Sequence, residues 1–187
     1  MNLPASVEGS ERLRLFCALR LPDETAGSLA AWQGTAFDGV PEVRPSPRDH
    51  LHVTLAFLGH RPVEELGPIL GALRDAAQAA RPALLSLRGY RETRSVGMLT
   101  FDDEDRRAAA LAADLHERLA ALGVYEPERR TWLPHLTVLR FRRRPRLQPA
   151  LPELEPFVTS DAAAFLSRLR PDGARYEVLE SVAVGGR

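Results

Sequence analysis

The chain has 187 residues, 44% hydrophobic and 27% charged, and its 25 acidic residues are matched by 25 basic ones. That size carries one domain with a sizeable core, or two lobes around a shared cleft, and the composition excludes global disorder. Zero net charge excludes a protein that coats nucleic acid through a global positive field, although a local basic patch remains open.

Every basic residue is arginine, a mark of GC-rich coding and not of bidentate donors chosen one by one. The single cysteine, Cys17, lies in the apolar run Leu15-Phe16-Cys17-Ala18-Leu19 and reads as a buried structural thiol. The first ten residues lack the basic and apolar regions of a secretory leader, and no run of about 18 apolar residues occurs. A cytoplasmic protein with no membrane contact is expected.

In chain order, residues 12–21 predict a strand with one well-buried face. Pro22-Asp23-Glu24 opens a helix with Leu29, Ala30 and Trp32 on its apolar side. Residues 40–50 carry three prolines and predict a loop or short edge strand. A strand follows and stops at Gly59. Pro62-Val63-Glu64-Glu65 starts a helix to about Ala80, with Leu66, Ile69, Leu70 and Leu73 in one stripe. Residues 83–90 and 95–101 predict a hairpin. Residues 103–122 predict the clearest helix, with Leu111, Leu115, Leu119 and Leu122 aligned and Gly123 ending it. A loop, a further strand and a proline-rich loop to Pro156 come next. Residues 162–170 and 176–184 predict a last hairpin across Pro171-Asp172-Gly173. Frequent hairpins and the absence of a Gly-rich phosphate loop predict an α+β fold with two largely antiparallel sheets.

One short pattern occurs twice, as Leu51-His52-Val53-Thr54-Leu55-Ala56-Phe57 and as Pro134-His135-Leu136-Thr137-Val138-Leu139-Arg140. Residues i and i+2 of a strand share a face, so each copy presents one imidazole beside one hydroxyl, with Val53, Leu55, Leu136 and Val138 behind. Pseudo-symmetric lobes would bring the two dyads face to face. With a pKa near 6.5, one imidazole can serve as base and the other as acid. That pair suits metal-free cleavage of a strained phosphodiester, with the threonine hydroxyls donating to the non-bridging oxygens.

The paired motifs, 49–59 and 129–140, resemble those of the 2H phosphoesterases, in the branch of RNA 2′,3′-cyclic phosphodiesterases historically called 2′-5′ RNA ligases. Residues 15–19 are similar to that family's first strand and residues 167–176 to its last hairpin, so the resemblance spans nearly the whole chain. It implies a bilobal fold over residues 1–187 with helices outside a central groove, and hydrolysis of a terminal 2′,3′-cyclic phosphate to a 2′-phosphate. It also implies His52 and His135 as the acid–base pair, His52 protonating the leaving 3′ oxygen and His135 activating water. Thr54 and Thr137 would be phosphate donors and Arg140 a phosphate clamp. Strand parity conflicts with that last role, because position 140 is five after His135 and faces the other side unless a bulge intervenes. The corresponding position after the first motif is Phe57.

His50, Phe57, Arg130 and Trp132 are the remaining candidates for the substrate groove. This chain departs from the family pattern at Pro45 after Arg44, at His50 where asparagine is usual, and in its hairpin 93–99, which lacks the usual Arg-Pro and tryptophan. His50-x-His52 with His135 is a conceivable zinc triad, but no acidic or cysteine ligand completes it. His116 and His60 read as solvent-facing and loop residues, and Trp32 as core. The arginine run 142–146 reads equally as an RNA-backbone contact or a solvated loop. Expected partners are RNA ends or small 2′,3′-cyclic nucleotides; no cofactor, no obligate protein partner and a monomer are expected. Two other readings stand beside hydrolysis: joining of RNA ends through a 2′,5′ bond at the same site by microscopic reversibility, and a nucleotide- or RNA-binding module without turnover.

Overall fold

The computed structural model describes residues 12–127, 130–171 and 173–186. Alternating burial builds β1 (Arg12–Arg20), whose Leu15, Cys17 and Leu19 face the main core while Phe16 and Ala18 face the opposite side. Acidic Asp23 and Glu24 suit the first turn of α1 (Asp23–Ala36). Then come β2 (Val43–Pro45), a 3-10 turn over Arg48–His50, and β3 (His52–Pro62). A second 3-10 turn (Val63–Glu65) leads into α2 (Leu66–Ala79), followed by β4 (Ala83–Glu92), β5 (Val96–Asp102) and α3 (Arg107–Ala121). The chain continues through β6 (His135–Phe141), β7 (Phe157–Thr159), β8 (Asp161–Arg170) and β9 (Gly173–Ala183).

All the pairings are antiparallel, as expected. The two expected sheets are, however, joined. Nine strands form one sheet, along the path β7-β4-β5-β6-β3-β1-β8-β9 with β2 on β6. The join between β6 and β3 is a single pair, Val53 with Leu136. Each half therefore has four strands along this path, with a motif strand innermost. The core on one face takes Ile69, Leu73 and Ala76 of α2 and Leu111, Leu115 and Leu119 of α3.

Several expectations are corrected. β3 runs on through Gly59, which takes φ +69 beside a register shift instead of ending the strand. α3 starts at Arg107, and the carboxylate of Asp103 accepts from the Ala109 amide of its first turn. Part of the proline-rich stretch forms no strand, but Phe157–Thr159 after it pairs with β4. His60 lies in β3. His116 is half-buried: its Nε2 donates to the Leu55 carbonyl at 2.7 Å and its ring stacks on Tyr125, tying α3 to β3. Trp32 packs half-buried against the main core and Phe37, as expected, and its indole donates to the Ala150 carbonyl at 2.8 Å. Burial pushes the Cys17 thiol up to about 12, so it is inert. No helix among the described residues is long and apolar enough to cross a membrane.

Candidate active site

Val53 and Leu136 pair across the seam, and both are fully buried on the helix side. Their neighbours face the other way, so antiparallel pairing sets His52 opposite Thr137 and Thr54 opposite His135. Each imidazole thus faces the hydroxyl of the other motif.

β3 and β6 also share a phase break. Cys17 pairs with Ala56 and Ala18 with Thr54, which leaves Leu55 as an extra residue in β3. Gly97 pairs with Leu139 and Met98 with Thr137, which leaves Val138 extra in β6. An extra residue shifts the in/out alternation by one. Both strands consequently bury two residues in succession, Leu55-Ala56 and Val138-Leu139, and turn the next one, Phe57 or Arg140, outward. The parity conflict at Arg140 is resolved by this bulge: Arg140 and Thr137 line one cavity.

The bulge in β6 is held from α1. The Val138 carbonyl accepts from Gln33 Nε2 at 2.6 Å and from the Ser46 amide at 2.9 Å, and Gln33 Nε2 also reaches the Ser46 carbonyl at 3.1 Å. Gln33 is buried. Sequence reasoning missed it in favour of Trp32; the signal was a polar residue in register with Ala26 and Leu29 on the buried stripe.

The cavity has a volume of about 260 Å³. Arg14, Arg44 and Arg140 line it with His50, His52, Thr54 and Thr137, and no carboxylate does. Phe16, Phe57 and Tyr176 supply its aromatic wall. A concave surface with this lining favours an anion.

His52 is packed among rings: Phe16 stacks at 4.8 Å, Phe165 at 5.7 Å, and Tyr176 meets it edge-on at 5.6 Å. Burial lowers its pKa to about 4; a bond to the His50 backbone opposes this, and His50, Arg140 and His135 reinforce it. The His52 ring is therefore neutral at pH 7. His135 Nδ1 meets the Leu133 carbonyl at 2.9 Å. A carbonyl only accepts, so Nδ1 carries the proton and Nε2 of the neutral ring keeps a lone pair. The His50 ring lies tilted against Tyr176 at 4.2 Å, and its pKa is lowered first by burial, with Asp49 opposing and Arg140 and Arg175 reinforcing.

His135, beside Thr137 in β6, is not among the residues lining the cavity, and neither are Trp132 and Arg130. Trp132 packs on the core, and its indole donates to the Thr54 carbonyl at 3.1 Å, tying the approach to β6 onto β3. Arg130 is exposed and does not line the cavity. No three His, Cys, Asp or Glu side chains among the described residues are grouped to hold a metal ion, so His50, His52 and His135 do not form a zinc triad. The arginine run is partly anchored: the nearly buried Glu92 carboxylate accepts from Arg144 and from the backbone amides of Arg146 and Leu147.

A family model described as the 2′-5′ RNA ligase superfamily matches residues 21–172. The chain belongs to this superfamily. Among similar members is the RNA 2′,3′-cyclic phosphodiesterase of Thermus thermophilus, 33% identical over 183 residues that cover 93% of this chain and 91% of the relative. The Escherichia coli protein of the same name is 34% identical over 135 residues, 70% of this chain and 73% of the relative. The crystal structure of Escherichia coli LigT complexed with 3′-AMP superposes with a TM-score of 0.76 at 26% identity, over 93% of this chain and 99% of that one. Superfamily membership and the shared fold accord with the resemblance carried by the two motifs.

Proposed function

We propose that this protein hydrolyses the 2′,3′-cyclic phosphate of an RNA end or a small nucleotide to a 2′-phosphate. The observation that carries this reading is the pairing of the two His-x-Thr dyads across the seam, with His52, Thr54 and Thr137 lining a cationic cavity without carboxylates. The relatives named RNA 2′,3′-cyclic phosphodiesterase support the same reaction class, a hydrolase.

Water attacks phosphorus opposite the 3′ oxygen. His135 Nε2 takes the proton of the attacking water, the P–O3′ bond breaks, and protonated His52 delivers a proton to O3′. Thr54 and Thr137 donate hydroxyl protons to the non-bridging oxygens, where charge accumulates, and Arg140 holds the same oxygens through its forked guanidinium. Aromatic burial makes imidazolium at His52 a strong acid, and the anionic substrate draws it toward protonation. With a 5′-hydroxyl in place of water, the same proton transfers would join two ends through a 2′,5′ bond.

The test is incubation, with chelator present, of the protein with an oligonucleotide ending in a 2′,3′-cyclic phosphate. Conversion to the 2′-phosphate is expected, and His52→Ala and His135→Ala should each lower kcat by about 100-fold or more while circular dichroism stays native. An uncleaved substrate would sink the enzyme reading, chelator-sensitive cleavage would sink the metal-free one, and near-normal rates in either variant would refute the two-histidine mechanism.

A further inference from the structure

β3 and β6 match residue for residue in burial, yet their cavity-facing ends differ: Arg140 in one, Phe57 in the other. Arg14 of the adjacent strand β1 makes up the difference. Its guanidinium carbon lies 4.8 Å from the centroid of the Phe57 ring, and its Nη1 donates to Oγ of the buried Ser167 at 2.6 Å. These partners are an aromatic face and a hydroxyl. They aim the group without neutralising its charge. Arg14 lines the same cavity as Arg140.

The two guanidiniums stand at opposite ends of the dyads. Phe57 lies three residues beyond Thr54 and Arg140 three beyond Thr137, and the strands run antiparallel. Each bulge sets these three residues against two of the neighbouring strand, so at about 3.3 Å per residue Phe57 and Arg140 each lie roughly 7 Å along the strand from the threonine of their own motif, in opposite directions. A phosphate held by the dyads and Arg140 leaves the Arg14 end facing a second anion. In an RNA end that anion is the phosphodiester joining the terminal nucleotide to the rest of the strand; a 2′,3′-cyclic mononucleotide lacks it.

We propose that Arg14, aimed by Phe57 and Ser167, binds that neighbouring phosphodiester and makes an RNA end, more than a cyclic mononucleotide, the substrate the cavity fits. This rests on the hydrolytic reading above and names its substrate class.

The experiment compares kcat/KM for a 2′,3′-cyclic mononucleotide and for a dinucleotide with the same terminal base and cyclic phosphate. In wild type the dinucleotide should be preferred. Arg14→Gln should lower the dinucleotide-to-mononucleotide ratio about tenfold, the loss of one charge-assisted bond. It should also flatten the salt dependence of log kcat/KM for the dinucleotide by roughly 0.7 per decade of salt. Phe57→Leu and Ser167→Ala, which misdirect the guanidinium and keep its charge, should lower the ratio in the same direction by less, and they stand in if Arg14→Gln fails to fold. Equal loss on both substrates would overturn the proposal by assigning Arg14 to the reacting phosphate, and so would a wild type indifferent to the second nucleotide. If wild type turned over neither substrate, the hydrolytic reading itself would fail.

Discussion

His52 and His135 each bond a backbone carbonyl through one ring nitrogen, which leaves the other nitrogen of each ring free of that bond. Their surroundings separate them, since His52 lies among Phe16, Phe165 and Tyr176. In an NMR titration its ring should change protonation near pH 4 in the free protein and at higher pH with inorganic phosphate bound, because an adjacent anion favours the charged form. A His52 that stays near 4 with phosphate bound would exchange the acid and base roles. The stability consequence has a definite sign. Between the ordinary value of 6.5 and about 4, the unfolded chain holds a proton that the folded chain does not. The stability contributed by His52 is complete above pH 6.5 and is lost as pH falls through that window. At this scale the two dyads were legible because i, i+2 spacing on a strand depends on nothing outside the motif. His116 and Trp132 were not, since their places are set by carbonyls of Leu55 and Thr54, 61 and 78 residues away.

Among the elements, the deciding devices are the matched bulges of β3 and β6. Periodicity located both strands, but it carries no mark of an extra residue, which depends on the partner strand and on what satisfies the displaced carbonyl. In β6 that partner is Gln33, 105 residues away. Gln33→Leu should therefore act at a distance. It removes a buried donor to two carbonyls, so stability should fall by about 1–3 kcal/mol in denaturant unfolding. KM for the cyclic substrate should rise about tenfold, as in Arg140→Gln, and the double variant should add little further, because both changes remove one positioned guanidinium. Full additivity would show that Gln33 does not act through Arg140. Pro62 and Val63 marked the start of the second helical region correctly, whereas Gly59 read as an end because a left-handed glycine inside a bulge has the same composition as one in a turn.

For the whole molecule, local pattern reached the α+β class but not the single sheet, because the join is one pair of residues 83 positions apart. The strand path carries a consequence for the order of assembly. The half that holds His52 is built from the first and last parts of the chain: β1 and β3, then β8 and β9. Phe165 and Tyr176, which enclose His52, belong to that closing hairpin. The first histidine of the pair thus acquires its protonation behaviour only when residues more than 110 positions downstream have docked, and such long-range closure is slow. During refolding, helical ellipticity from the local helices should return first and turnover last, with β8–β9 docking as the step that switches the chain from folded-looking to active. Activity that returned in step with ellipticity would contradict this order. A nascent chain could carry both His-x-Thr strands and still be inert, so the reaction is withheld until the molecule is nearly complete.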